Sequence, residues 1–362
     1  MKSTRLLLLN LLLLACLPAA DRLEVYAIDV EGAKSMLVVT PSGQSILEDA
    51  GWAGLNDENW VVNRPNDRDA DRIVEAVKLA KVKQIDYFVV THYDTDHVGN
   101  VPRTVAKLPV PVLNFIDHGE PQTEDPTTLK EYQAYLDTIT KAKAKRISVK
   151  PGDRIPLKGL DIVVLTAAAK AIDSPLPGAG AANPSCAGLT PGRPDRGENP
   201  ASVGLLYTFG KFRMIDFGDL TKGVEYDLMC PNNRVGTVDL FMVSHHGADA
   251  SNSPQLVHAL HPRVAIMNNG AKKFGRPGAF QAIKTSPGLE DLWQLHYAMD
   301  AGDGNNTSEN LIANPQKEPD PACFGAVLGD QGKWIKVSAQ SDGTFTVLNS
   351  RNNYSKTYKS RR

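Results

Sequence analysis

The amino-acid sequence predicts an α/β sandwich with helices on its outer faces, built as a single domain. Short β-branched runs alternate with helical stripes, and this alternation occurs twice, before and after a stretch rich in Pro, Gly and Ala at 167–200. Strands and helices in two such halves bury their apolar faces as stacked layers. The 362 residues are 42% apolar and supply a full core. No internal repeat or change of composition divides the chain.

The first half begins as antiparallel sheet and continues as helix and strand. Apolar residues at helical spacing predict helices over 69–81 and 127–145. The apolar run Ile85 to Val90 predicts a buried strand that ends just before a polar segment. Three short runs separated by turn residues predict an opening meander: Leu23 to Val30, Ser35 to Thr40 and Ser45 to Asp49.

The second half begins after 167–200, which is predicted to be either a long loop near the site or a disordered insertion. Helices are predicted over 254–260 and 289–299. Strand patterns cover 202–209, 212–217, 238–243, 264–267, 334–338 and 344–348. The domain is therefore expected to span 21–350, followed by a basic tail over 351–362 that is expected to be frayed.

The N-terminus has the pattern of a secretory signal peptide over residues 1–20. Lys2 and Arg5 precede an apolar run, and small residues follow it. The segment Leu13-Leu14-Ala15-Cys16 resembles a lipoprotein cleavage box, and cleavage there would leave Cys16 acylated. We therefore expect export, with the mature protein periplasmic, secreted or lipid-anchored at the bacterial cell surface.

Charge and cysteine content limit the partners. Forty basic and 41 acidic residues give a net charge of −1, so no stable nucleic-acid complex is expected from bulk electrostatics. Cys186, Cys230 and Cys323 allow one disulfide in an oxidising compartment, with the pairing open, or three buried thiols. The oligomeric state has no signature in the sequence.

The segment Thr91-His92-Tyr93-Asp94-Thr95-Asp96-His97 is the strongest functional signal. It places two imidazoles and two carboxylates within six positions after a strand, and these groups suit divalent metals. Burying Asp94 and Asp96 together without a cation would cost several kcal/mol. The sequence therefore predicts a metal site here, rather than a solvated polar loop.

This segment resembles the His-x-His-x-Asp-His signature of the metallo-β-lactamase superfamily, with Asp94 in place of the second His. The variant resembles the extracellular domain of competence channel proteins of the ComEC type. Further stretches resemble that subgroup: Asn199-Pro200-Ala201-Ser202, Phe217-Gly218-Asp219-Leu220, and Ser244-His245-His246-Gly247 followed by Ser251. The resemblance implies an αββα sandwich.

The resemblance also implies a ligand set for two metals. His92 and Asp94 would bind the first, Asp96 and His97 the second, and Asp219 both. His245 would complete the second site, although the choice between His245 and His246 stays open. Asp96, Asp219 and His246 would serve catalysis, and Asn199, Ser202 and Ser251 would orient ligands or substrate. His118 is interpreted as a hydrogen-bonded structural His that could still reach the site.

These residues predict a metal-dependent hydrolase. Three carboxylates against three imidazoles favour zinc or manganese, and two dications about 3.5–4 Å apart lower the pKa of a bridging water. The leading hypothesis is hydrolysis of a small-molecule or nucleic-acid phosphodiester. The alternatives are hydrolysis of a lactone, ester or β-lactam, and a non-catalytic surface module that binds metal. Lys272, Lys273 and Arg276 could contact a phosphate or form a solvated basic loop.

Overall fold

The computed structural model describes residues 21–52, 67–190, 196–321 and 326–361. The predicted signal peptide with Cys16 lies outside the described residues, as do Cys323 and the last residue of the basic tail. Within the described ranges, no helix is both long enough and apolar enough to cross a membrane.

The first sheet has nine strands, most of them from the N-terminal half. They are β1 (Arg22–Ala27), β2 (Met36–Val39), β3 (Ser45–Glu48), β4 (Tyr87–Val89), β5 (Asn114–Asp117), β6 (Lys145–Ser148), β15 (Ile335–Gln340), β16 (Phe345–Asn349) and β17 (Ser355–Tyr358). Their order is β17-β16-β15-β1-β2-β3-β4-β5-β6. Strands β3 to β6 are parallel, and the other neighbours are antiparallel.

The second sheet has eight strands from the rest of the chain. They are β7 (Asp161–Ala167), β8 (Lys170–Ala171), β9 (Gly204–Phe209), β10 (Phe212–Asp216), β11 (Leu240–Met242), β12 (Val264–Met267), β13 (Asp291–His296) and β14 (Ile312–Asn314). Their order is β14-β13-β12-β11-β10-β9-β7-β8, and β10 to β14 are parallel.

The α-helices flank the two sheets. They are α1 (Arg68–Leu79), α2 (Thr95–Val98), α3 (Val101–Lys107), α4 (Pro126–Ala142), α5 (Lys222–Met229), α6 (Pro254–Leu260) and α7 (Pro277–Lys284). Short 3-10 helices cover Pro184–Cys186, Asn199–Ala201, Ser244–Gly247, Met299–Ala301, Asp303–Asn305 and Glu309–Leu311.

Three apolar clusters define four layers. One cluster joins the facing sides of the two sheets, for example Val25 with Leu205. A second packs the other face of the first sheet against α1 and α4, and a third packs the second sheet against α5 to α7. The architecture is therefore an αββα sandwich, as the sequence predicts.

The predicted helices α1 and α4 are confirmed. In α1, Ile73 and Val77 lie four residues apart on one face and are fully buried. Helix α4 begins after Asp125, whose carboxylate accepts a hydrogen bond from the Thr128 amide at 2.9 Å. Both helices therefore follow from apolar periodicity and local capping.

Two predicted elements are wrong. The segment predicted as a helix over 289–299 is strand β13, which pairs with β12 and β14. Strand β13 is buried on both faces, so its sequence lacks the alternation that would separate a strand from a helix. The expected frayed tail instead contains β17, which pairs with β16 and buries Tyr358 against Phe345.

The described parts of the stretch 167–200, residues 167–190 and 196–200, are mostly irregular, in line with the predicted loop. The stretch carries β8 and two 3-10 helices, and a Cys186–Cys230 disulfide ties it to the residue that follows α5. The Cα atoms of these cysteines lie 5.7 Å apart. The sequence left this pairing open.

Candidate metal centre

The segment 92–97 follows β4 and turns directly into helix α2. The Asp94 carbonyl accepts a hydrogen bond from the His97 amide at 2.9 Å, which places Asp96 and His97 in the first turn of α2. His92 and His97 are fully buried, whereas the Asp94 side chain is 37% exposed. The strand end therefore directs both imidazoles inward.

Asp219 follows the end of β10 in a turn that requires glycine. Gly218 has a φ of 56°, and a Cβ there would lie 2.9 Å from the Thr91 side chain. The Asp219 amide donates to the Ser202 hydroxyl at 3.1 Å. The turn thus brings a buried carboxylate of the second sheet next to the 92–97 segment.

His245 and His246 follow β11 with two left-handed backbone conformations in succession, at φ values of 50° and 51°. For residues other than glycine this conformation costs about 1 kcal/mol or more and clusters at functional sites. It directs the two rings differently. His246 is 1% exposed and turns toward His97, whereas His245 lies nearer the cleft, with Nδ1 3.2 Å from the Ser251 hydroxyl.

Four buried side chains from both halves of the chain converge as one cluster: Asp96, His97, Asp219 and His246. His97 Nε2 lies 3.2 Å from both Asp219 Oδ1 and His246 Nε2. His246 Nε2 lies 3.1 Å from Asp96 Oδ2 and 3.4 Å from Asp219 Oδ2. One potential ligand atom of each residue lies within 4.8 Å of the others.

The partners of the two rings decide which nitrogens carry protons. His97 Nδ1 lies 2.7 Å from Asp49 Oδ2, and His246 Nδ1 lies 3.3 Å from the Asn268 carbonyl. Both partners only accept, so each Nδ1 donates and each neutral ring has a bare Nε2. Two lone pairs then face each other between two carboxylates, an arrangement that calls for a cation. The residues fit a divalent metal.

His92 presents a third bare nitrogen. Its Nδ1 lies near the hydroxyls of Thr91 and Ser202, which donate their own hydrogens to Asp49 and to the Asn199 carbonyl. His92 Nδ1 is therefore the donor. Its Nε2 is buried without a hydrogen-bond partner and lies 3.6 Å from Asp94 Oδ2. This pair extends the cluster toward the exposed side.

The pKa shifts of the cluster residues also indicate that the cluster favours positive charge. Burial favours neutral His97, yet Asp219, Asp49 and Asp96 outweigh it and raise its pKa well above the ordinary value. Burial also opposes the charged form of Asp219, yet His246 and His97 hold its pKa well below the usual range. Burial lowers the pKa of His245 despite the attraction of Asp219.

His118 is not part of the cluster. Its Nε2 lies 3.0 Å from Glu198 Oε2 in a buried pair, and its ring packs against Tyr93. Glu198 also accepts hydrogen bonds from the backbone amides of Tyr93 and Gln122. His118 therefore supports the 92–97 segment from behind, in keeping with its interpretation as a hydrogen-bonded structural residue.

Two supporting residues escaped the sequence analysis. Asp49 was noticed only as a strand end, yet it holds Thr91 through both backbone and side chain and also orients His97. Glu198 was passed over within the irregular stretch. For Asp49, the available signal was a carboxylate directly after β3, beside the strand that leads to His92.

The cluster opens into a cleft of about 480 Å³. Asp94, Asp96, Asp219 and His245 lie in its wall, whereas Ser202 and His246 are more deeply placed. The other lining residues are Trp52, Thr95, Thr123, Asp125, Thr127, Thr128, Arg196, Gly197, Glu198, Asn199, Lys273 and Phe274. Asn199 therefore faces the cleft, and Ser251 contacts it only through His245.

Comparison with known proteins places these features in a family. Residues 29–186 match the family model of the metallo-beta-lactamase superfamily. The chain is 26% identical over 258 residues to ComE operon protein 3 of Bacillus subtilis (strain 168), which covers 68% of this chain. The chain spans only 28% of that relative's length.

Two solved structures are similar to this chain, a metallo-beta-lactamase fold protein and a metallo hydrolase. YhfI from Bacillus subtilis is 12% identical, with a TM-score of 0.43, over 76% of this chain and 96% of its own. The metallo hydrolase Igni18 from Ignicoccus hospitalis is 14% identical, with a TM-score of 0.39, over 74% of this chain and 94% of its own.

The matched segment includes the His92 to His97 motif, and the remaining cluster residues follow it on the second sheet. The motif, the two stacked sheets and the family model agree. Residues 29–186 therefore match the metallo-beta-lactamase superfamily, and the chain is folded as an αββα sandwich.

Proposed function

We propose that this chain is a metal-dependent hydrolase that cleaves phosphodiesters, as a nuclease does, with two divalent cations, zinc or manganese. The observation that carries the proposal is the facing pair of bare Nε2 atoms on His97 and His246, 3.2 Å apart. Asp96 and Asp219 adjoin the same point. Three bare imidazole nitrogens and buried carboxylates are expensive to assemble without a cation.

We assign most of the ligands by distance. Asp96, His97 and His246 would hold one cation, and His92 and Asp94 the other. Asp219 Oδ1 lies 3.2 Å from His97 Nε2 and its Oδ2 lies 3.4 Å from His246 Nε2, so it would contact the first cation, and the family resemblance implies that it would contact the second as well. This assignment gives the ligand role to His246, whereas the sequence analysis favoured His245. His245 lines the cleft and would face substrate.

The protein's own residues prepare the site. Asp49 and the Asn268 carbonyl fix the His97 and His246 rings, and Ser202 supports both His92 and the Asp219 turn. A divalent cation held there would supply Lewis-acid activation of a water molecule and would polarise a phosphoryl oxygen, which makes the phosphorus more open to attack by that water. Asn199 and His245 in the cleft wall are placed to orient the substrate.

Two arguments favour phosphodiesters within this class. The carboxylate Asp94 at a position that is His in the superfamily signature makes a harder donor set, which suits cations that bind phosphate oxygens. The sequence match to ComE operon protein 3 agrees with the resemblance to the competence channel's outer domain. The activity of that much longer protein comes to this chain only as a proposal.

A panel of substrates tests the proposal. The purified protein should carry about two metal ions per chain by elemental analysis and hydrolyse a bis-aryl phosphodiester or single-stranded DNA in preference to a lactone or cephalosporin. Asp219→Ala is the control, because it removes the carboxylate that both sites would share. Less than one metal per chain, or unchanged hydrolysis by Asp219→Ala, rules out the two-metal centre. Preference for the lactone or cephalosporin favours the alternative substrate class.

We also propose that the protein is exported. The Cys186–Cys230 disulfide supports this, because such bonds persist mainly in oxidising compartments. Fractionation of cells that produce the full chain, with thiol labelling before and after reduction, tests the location. Recovery in the cytoplasm with both thiols free contradicts it.

A further inference from the structure

Lys273 lies inside the acidic cleft. It sits on the loop after β12, and its Nζ contacts Asp96 Oδ2. The ammonium lies 4.3 Å from the centre of the Trp52 ring and 5.2 Å from that of Phe274. Its side chain is only 11% exposed, and Lys273 is a lining residue of the cleft. The Lys273 ammonium is therefore held against the candidate metal centre and close to two aromatic rings.

The backbone around Lys273 is shaped to hold it there. The Gly270 amide donates to the Lys273 carbonyl at 3.0 Å, which closes a tight turn. Gly32, with a φ of 72°, lies beneath this turn, and a Cβ at that position would come within 2.7 Å of Lys273 Cβ. The loop can approach only because position 32 has no side chain. Packing thus fixes the backbone and the Cβ of Lys273, from which the ammonium reaches Asp96.

The charge balance at Asp96 changes when the centre takes a metal. Without a dication, the Lys273 ammonium and the neighbouring rings share the Asp96 carboxylate. A dication that binds Asp96 neutralises that charge. The ammonium, largely removed from solvent, then lies beside a positive centre. An anionic oxygen that bridges the two would restore the balance.

We propose that Lys273 and the loaded metal centre together form an anion subsite, in which the ammonium takes a nonbridging phosphoryl oxygen. This inference rests on the proposed function and deepens it, since such a subsite selects anionic phosphodiesters over neutral esters. Lysine suits this role as a compact charge with three donors. Lys273 contacts the substrate through this charge and does not itself bind the metal.

Calorimetric titration of the metal-loaded protein with inorganic phosphate tests the subsite. We expect Lys273→Met to weaken phosphate binding by about tenfold or more, as loss of a charged hydrogen bond does. Lys273→Arg keeps the charge and should retain most of the affinity. Lys272→Met is the matched control, because Lys272 is the chain neighbour but is not among the described residues that line the cleft. Metal content is measured for every variant.

Phosphate bound equally well by wild type and Lys273→Met overturns the inference, and so does a wild type that binds no phosphate. If Lys273→Met fails to fold, Lys273→Gln replaces it. Kinetics separate this inference from the proposed function. Phosphate binding that depends on Lys273 without phosphodiesterase activity keeps the subsite and rejects the function. Phosphodiester hydrolysis whose KM is unchanged in Lys273→Met keeps the proposed function and rejects the subsite.

Discussion

Asp49 and His97 are joined by a contact of 2.7 Å between Oδ2 and Nδ1, and both side chains are fully buried. The same carboxylate accepts hydrogen bonds from the backbone amide and hydroxyl of Thr91. Asp49 therefore fixes the tautomer of His97 and the start of the 92–97 segment at once. The ring has its Nε2 directed at the cluster because Nδ1 is occupied.

Replacement of Asp49 by Asn should weaken metal binding by about 10–100-fold, because the residue that orients the His97 ligand loses its charge. Titration against a chromophoric chelator measures this. Asp67→Asn is a suitable control, since Asp67 is an exposed partner of Lys107. An Asp49→Asn protein that folds and binds metal as tightly as wild type would contradict the assigned role.

Metal affinity should rise with pH. Carboxylates raise the pKa of His97 well above its ordinary value, so the metal-free ring takes up a proton at higher pH than a free imidazole and must lose that proton to bind a metal. Below the pKa of His97, the release of one proton increases apparent affinity about tenfold per pH unit. Calorimetry in buffers of different ionisation enthalpy counts the released protons. Affinity that does not vary with pH, with no proton release, argues against a cation at this ring.

Glu225 should make the protein less stable as pH rises. Its buried carboxylate accepts hydrogen bonds from the Asn252 and Ser253 amides, and burial raises its pKa from 4.5 to about 6. Between these values the unfolded chain has lost the proton that the folded protein keeps. Stability therefore falls from about pH 4.5 to about pH 6, by ~2 kcal/mol in all.

Urea unfolding of wild type and Glu225→Gln across this range measures the effect. The stability of the Gln variant relative to wild type should rise with pH, because Gln does not ionise. A difference between the two proteins that is constant from about pH 4 to pH 7 shows that Glu225 has an ordinary pKa.

Reduction of the Cys186–Cys230 disulfide should destabilise the protein by roughly 2–4 kcal/mol, since the bond closes a long loop and the two cysteines are 44 positions apart. Chemical denaturation with and without reductant measures this. A Cys186→Ser/Cys230→Ser double variant should resemble the reduced wild type and show no response to reductant. A response of the same size in that double variant would trace the effect to another bond.

Much of the fold follows from local pattern. Helices α1 and α4 have regular apolar spacing, and β4 is a short apolar run that leads to His92, so all three were predicted. Strand β13 was not, because a strand that is buried on both faces lacks the alternation that separates a strand from a helix. Strand β17 was missed because its stability comes from pairing with β16, which is invisible in its own sequence.

The sequence predicted which residue types form the site and which segments of the chain carry them. Asp96, His97 and Asp219 come together as expected. The orientations of His245 and His246 depend on left-handed backbone at both positions, which no sequence period reveals. The contact of Asp49 with Thr91 joins residues 42 positions apart and depends on how β3 and β4 align.

The cluster joins elements of the two sheets that are remote along the chain, since His97 and His246 are 149 positions apart. A dication at this point would cross-link the two sheets of the sandwich. Removal of the dication would leave the carboxylates of the cluster close together where the two sheets meet. Chelation should therefore weaken the packing between the sheets as well as stop turnover. Limited proteolysis would then cut the chelated protein at sites that the loaded protein protects.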